Sequence, residues 1–179
     1  MKNQFELLAK YNQKMNQNIY TVCHSLNEFE MRKHRGAFFG SIINTLNHIL
    51  VGDIIWLKRI ANQYNQLNCL SEINSFDTPN SLSQILFDDF SILEQARLYI
   101  DSVFISLIAE LNDNQLTSNM QYQNINEETF NQSLCDVLLH IFNHQTHHRG
   151  QVSTLLSQND MDYGCTDLIT VCSEINESV

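Results

Sequence analysis

A single proline, Pro79, and five glycines in 179 residues leave this chain too few turn-formers for a many-stranded sandwich or barrel. Such folds need a Gly- or Pro-type turn about every eight to twelve residues. Helices are therefore expected, and the length suits one domain spanning residues 1–179. Ten Lys and Arg stand against twenty Asp and Glu, a formal charge of −10. That balance argues against nucleic-acid phosphates or an anionic membrane surface as partners, since both reward clustered cations. The charge is uneven. Residues 1–64 hold eight basic groups and four acidic ones, leaving −14 for the remainder, and beyond Arg97 the only Lys or Arg is Arg149.

The five cysteines, Cys23, Cys69, Cys135, Cys165 and Cys172, are odd in number and form no CxxC. Neither a disulfide framework nor a thiolate zinc knuckle is suggested. The first residues, MKNQFELLAKYNQKMNQ, lack the unbroken apolar stretch of a secretion signal, and no apolar run approaches the roughly eighteen residues of a membrane span. A reducing cytoplasm is the expected location.

Apolar residues Phe5, Leu8, Tyr11, Met15, Tyr20 and Val22 predict one long helix or a broken pair over residues 3–33. Ser41 can cap a second helix reaching about Tyr64. It is apolar on both sides, as a central helix would be. After a linker around Pro79, Leu82, Leu86, Phe90, Leu93, Ile100, Phe104, Leu107 and Leu111 predict a third helix opening at Ser81. Its spacing suits a bundle with crossings of about 20°. Residues 114–128 lack helical periodicity and are expected to form a short irregular hairpin. A fourth long helix is predicted from about Phe130 to Gln158, and a short terminal one capped by Thr166 or Asp167. The expected fold is all-α, a four-helix bundle.

Four of the seven histidines fall within HIFNHQTHH, at His140, His144, His147 and His148. At 100° per residue, His148 lies about 40° from His144, and Val137, Ile141 and Leu155 lie within about 60° of it, so both imidazoles share the apolar face. A surface cluster is the simpler alternative. Yet two inward imidazoles repel when protonated and bury unsatisfied nitrogens when neutral, whereas a divalent ion satisfies both. An i, i+4 pair can converge on one ion as in HExxH, and a third ligand is expected from a facing helix. His48, the only histidine in the second helix, is the candidate; His24 and His34 lie near helix ends and are weaker. Cys135 falls about 180° from His144 on the wheel, which disfavours a cysteine nucleophile at this site.

The stretch NHILVGDIIWL, residues 47–57, and NHQTHHRGQ, residues 143–151, resemble the first-histidine and HxxxHRGQ motifs of the DinB/YfiT-like family of damage-inducible and thiol-dependent metalloenzymes. The resemblance follows helix order along nearly the whole chain. It implies a four-helix bundle of up-down-down-up connectivity, often dimeric, so that a homodimer is expected. It also implies a metal, commonly nickel or zinc, on His48, His144 and His148. Iron and copper, which imidazole also suits, and manganese are the other candidate ions. His140 is expected in the pocket, Gln151 to orient a ligand or substrate, and Asp53 to contact a neighbouring helix or Arg149.

Three neutral imidazoles leave a coordination position open, as in catalytic rather than structural zinc sites. Through the resemblance, whose members include transferases of low-molecular-weight thiols such as bacillithiol and a mycothiol-dependent isomerase, the leading expectation is a divalent-metal-dependent thiol S-transferase or related conjugating enzyme. It would act on a small-molecule substrate with a low-molecular-weight thiol as co-substrate. The alternatives are hydrolysis by a metal-activated hydroxide, and a non-enzymatic metal-binding stress-response protein. Catalytic side chains beyond the ligands are not assignable from the sequence, and neither is the substrate.

Overall fold

The computed structural model describes residues 1–124 and 126–177, with side chains of residues 174–177 left aside. Four long helices carry the architecture: α1 (Lys2–Cys23), α3 (Ile42–Gln63), α4 (Phe90–Glu110) and α6 (Leu134–Ser157). Short helices α2 (Glu28–Arg32), α5 (Asp113–Thr117) and α7 (Leu168–Glu177) and an antiparallel hairpin, β1 (Asn119–Gln123) with β2 (Thr129–Ser133), fill the connections.

Each long helix packs on two others: α1 lies beside α4 and α6, and α3 beside α4 and α6. Contacts give the directions. Lys2 reaches the Ala109 carbonyl and His24 meets Glu94, so α1 and α4 are antiparallel. Phe5 stacks near Phe142 while Asn12 bonds Gln145, so α1 and α6 run together. His48 meets His148 and Trp56 meets His140, so α3 opposes α6. The order is up-down-down-up. Between the helices, Ile42, Leu50, Ile54, Leu57, Leu93, Ile100, Phe104 and Leu107 are shut from solvent, and burial of each such side chain is worth about 1.5–3 kcal/mol. As expected for a central helix, α3 is buried at every position from Ile42 to Ile54 except Asn44.

The helix starts follow local hydrogen bonding. The broken-pair alternative holds at residues 3–33: Asn27 caps α2 by accepting from the Glu30 amide at 2.9 Å, so the chain starts a new helix instead of prolonging α1. Ser41 caps α3 as predicted, accepting from the Asn44 amide at 3.3 Å. Asp167 lies just before α7, accepting through its carbonyl from the Val171 amide at 3.0 Å.

Two boundaries differ from expectation. The third helix opens at Phe90 rather than Ser81, capped by Asp89, whose carboxylate accepts from the Ile92 amide at 3.0 Å. Residues 81–89 form an irregular strap instead. Asn47 holds it from α3: its Oδ1 accepts from the Leu86 and Phe87 amides at 2.9 and 3.0 Å, and its Nδ2 donates to the Phe87 carbonyl at 3.0 Å. Those amide bonds replace the helical ones that the apolar spacing suggested. The last long helix likewise begins at Leu134, because residues 129–133 pair with β1 and Ser133 caps the helix from the end of the strand. The hairpin expected in residues 114–128 is real, shifted towards residues 119–133 and preceded by α5.

Candidate metal centre

His48, in the first third of α3, and His144 and His148, in the middle of α6, converge, each offering a nitrogen within 4.8 Å of the others. His48 Nε2 lies 3.0 Å from His144 Nε2 and 3.1 Å from His148 Nε2. These spacings are close to the roughly 3.3 Å edge of a tetrahedron with metal–nitrogen bonds of about 2.0–2.1 Å. The i, i+4 spacing stacks His144 and His148 on one face of α6, and α3 supplies His48 from across the helix pair.

Neighbouring groups fix the tautomers. His48 Nδ1 lies 2.7 Å from the Leu82 carbonyl in the strap. A carbonyl only accepts, so Nδ1 carries the proton and the neutral ring presents a bare Nε2. His148 Nδ1 donates to Gln151 Oε1 at 3.0 Å, and Gln151 Nε2 lies 3.2 Å from His147 Nε2, so His148 Nε2 is bare as well. Two lone pairs thus face each other at 3.1 Å with no proton between them. That is the polarity a divalent ion requires of its donors. Gln151 thus contacts a candidate ligand, His148, through the ring nitrogen turned away from the cluster.

Burial and the neighbouring His148 and His48 push the His144 imidazole down to about 3. Burial also pushes His48 and His148 below the ordinary histidine value, offset in part by their hydrogen bonds to Leu82 and Gln151. All three rings are therefore neutral near pH 7, the form in which an imidazole can serve as a ligand. Phe39, presented by a tight loop whose Gly36 and Gly40 sit at φ +74° and +83°, stacks on His48 with centroids 3.8 Å apart and meets His148 edge-on at 5.5 Å. His144 is only part-buried, so one side of the cluster is reachable from solvent.

Gly52 makes the close packing possible. A Cβ at this position would lie 2.8 Å from His144 Cε1, a separation real side chains do not tolerate. Gly52, Asn47, Phe39 and the Leu82 carbonyl were not singled out from the sequence as site groups. The available signals were the lone glycine inside an apolar helix and the polar Asn47–His48 pair in the same helix.

The pairing of Asp53 with Arg149 is corrected. Asp53 accepts from Arg97 of α4 at 2.5 Å and from Gln145 at 3.0 Å, the neighbouring-helix alternative. Arg97 also pairs with Asp101 at 2.9 Å. Arg149 is bound to Asn12 and donates to Thr146 at 3.1 Å and Gln145 at 3.3 Å. Gln145 is the link between the two groups. All of these except Thr146 are buried, and burial pushes the Asp53 carboxyl up to about 6 against the opposing pull of Arg97. Asp53 thus ties α3 to α4 and α6, and Arg149 ties α6 to α1. His140 is exposed, one turn before His144, with ring centroids 6.0 Å apart.

Comparison with known proteins agrees with this architecture. Residues 1–167 match the DinB family. Protein DinB of Bacillus subtilis (strain 168) is 23% identical over 151 residues, covering 84% of this chain and 83% of its own. The crystal structure of a DinB-like protein from Bacillus cereus ATCC 10987 superposes with a TM-score of 0.59 at 17% identity, covering 87% of this chain and 91% of that one. The last likeness concerns the fold. Among the described residues, no helix is long and apolar enough to cross a membrane.

Proposed function

We propose a function on one premise: the chain belongs to the DinB family. The three-histidine cluster fits a metal-binding protein, and in this reading His48, His144 and His148 hold a divalent ion for catalysis. The observation that carries the reading is the pair of bare Nε2 atoms, His48 and His148, held face to face at 3.1 Å. Their orientation is set from behind, by the Leu82 carbonyl and by Gln151, the outer support that metal-ligating histidines need.

Three neutral protein ligands leave a position free for an exogenous group. A bound divalent ion supplies Lewis acidity that makes a thiol or a water nucleophilic at neutral pH. The chain's own residues do the remainder. Phe39 shields one face of His48 and His148 from water, Gly52 leaves room for His144, and His140, neutral at pH 7, accepts the proton that an incoming thiol releases. The family resemblance favours thiol S-transfer to an electrophilic small molecule, with zinc or nickel as the ion. Hydrolysis is the second reading, favoured by the same open position.

The test is a conjugation assay on tag-free protein loaded with zinc or nickel, using an alkyl halide probe and a panel of low-molecular-weight thiols. The expected result is thiol-dependent product, abolished by chelation and by His144→Ala and restored by metal in the wild type alone. Product without added thiol would transfer the assignment to hydrolysis. No turnover in either assay, with chelation collapsing thermal stability, would overturn the enzyme reading in favour of a metal-binding protein.

A further inference from the structure

The histidine cluster is one end of a longer feature. On α3, His48, Gly52, Trp56 and Arg59 follow at steps of four, four and three residues, a single stripe on one helix face. On α6, His148, His144 and His140 form a matching stripe in the opposite direction. The stripes face each other. Gly52 lies against His144, and the Trp56 and His140 rings meet at 5.2 Å with planes at 64°. The β-hairpin walls the far end: Tyr122 meets Trp56 edge-on at 4.8 Å and stacks on Phe130 at 5.5 Å.

Arg59 occupies that end. Its guanidinium lies over the rings of Trp56 and Tyr122 at 4.6 and 5.0 Å, and Nη2 donates to the Gln123 carbonyl at 2.6 Å. Arg32, Arg35 and Arg97 all pair with carboxylates, and Arg149 donates to side-chain amide oxygens and a hydroxyl. Arg59 has no acidic partner among the described residues, in a chain of net charge −10. One of its five N–H donors suffices to pin the hairpin, and the rest of the fork is unengaged among the described residues. Arg59 is only part-buried, as is Trp56. An aromatic-backed guanidinium with free donors is a receptor for a planar or tetrahedral anion. A rise of 1.5 Å per residue places Trp56 about 12 Å and Arg59 about 16 Å from His48 along the helix, so a ligand touching both ends must be elongated.

We propose that the solvent side of these touching stripes, where His140 is exposed and His144, Trp56 and Arg59 are part-buried, is the binding groove for an elongated small molecule: its anionic end, a carboxylate or phosphate, sits on Arg59, its body lies against Trp56 and His140, and its reactive end reaches the three histidines. The inference rests on the proposed function only for which end reacts.

Trp56 is the sole tryptophan, so its emission reports on the groove, and calorimetry gives the affinity independently of the fluorophore. Two pairs of probes separate the sources of charge: glutathione against its diethyl ester, and 4′-phosphopantetheine against pantetheine. In the wild type the acid of at least one pair perturbs Trp56 saturably and binds about tenfold more tightly than its neutral counterpart. Arg59→Met removes that preference and Arg59→Lys restores part of it, with circular dichroism unchanged. The preferred pair identifies the anion. S-methylglutathione, which keeps the carboxylates and blocks the thiol, repeats the carboxylate arm on metal-free protein. Carboxylate-dependent binding that needs neither thiol nor metal would leave the groove standing even if the thiol reading failed. Metal-dependent thiol binding with no preference in either pair would overturn the groove and spare that reading. A preference unchanged in Arg59→Met, or no saturable binding of either acid at millimolar concentration, would overturn it as well.

Discussion

Gly52 shows how one residue decides whether three imidazoles meet. In an isolated helix, replacing it with alanine gains about 1 kcal/mol. Here the added methyl falls where His144 Cε1 stands, 2.8 Å away, and the ring must swing out of the cluster. Gly52→Ala is therefore expected to keep full helicity by circular dichroism while divalent-metal affinity falls at least about tenfold by calorimetry. Unchanged affinity would show that His144 reaches the ion from another rotamer. His144 and His148 were legible from spacing, because i, i+4 stacking is a property of the helix alone, and His48 as the one histidine within the second helix. Gly52 was not, since its reason lies on a different helix. The same limit explains Asp53: its wheel position placed it at a helix contact, but only packing reveals that Arg97 reaches it before Arg149 does.

At the scale of elements, the strap of residues 81–89 is the part that sequence periodicity misread. Leu82 and Leu86 continue the apolar rhythm of α4, yet Leu82 is largely exposed and its carbonyl serves His48 instead. The strap's amides and carbonyl go to the Asn47 side chain. A long-range side-chain clamp of this kind carries no periodic signal. Asn47→Ala should cost about 2–4 kcal/mol in urea unfolding, since it strips partners from three backbone groups of the strap, two of them amides. It should also weaken metal binding by releasing the Leu82 carbonyl from His48. A loss of stability with undiminished metal affinity would show that the strap holds the fold without orienting the ligand. The bundle, by contrast, was legible because α1, α3, α4 and α6 each carry a long amphipathic or apolar repeat that has no alternative but burial.

Across the whole molecule, the neutral histidine cluster sets a pH dependence. His48, His144 and His148 have lowered values in the folded, metal-free protein, so below pH 6.5 the unfolded chain binds more protons than the folded one. The stability they contribute is full above pH 6.5 and is lost as the pH falls, with His144 still resisting protonation down to about 3. Asp53, raised to about 6, acts in the opposite direction between about pH 6 and 4. Comparison with His144→Gln, which keeps Asp53, isolates the histidine contribution. Urea midpoints of metal-free protein should fall from pH 7.5 to 5.5, and fall less in His144→Gln. Equal slopes would show that His144 is not held neutral by the fold.

The most direct test of the three-histidine centre is a zinc and nickel titration of tag-free protein, paired with elemental analysis, on the wild type and on His48→Ala, His144→Ala and His148→Ala. The facing lone pairs predict about one ion per wild-type chain, retained through gel filtration, and none retained in any of the three variants, all of them still helical. A wild type that binds no ion, or variants that bind it undiminished, would contradict the account.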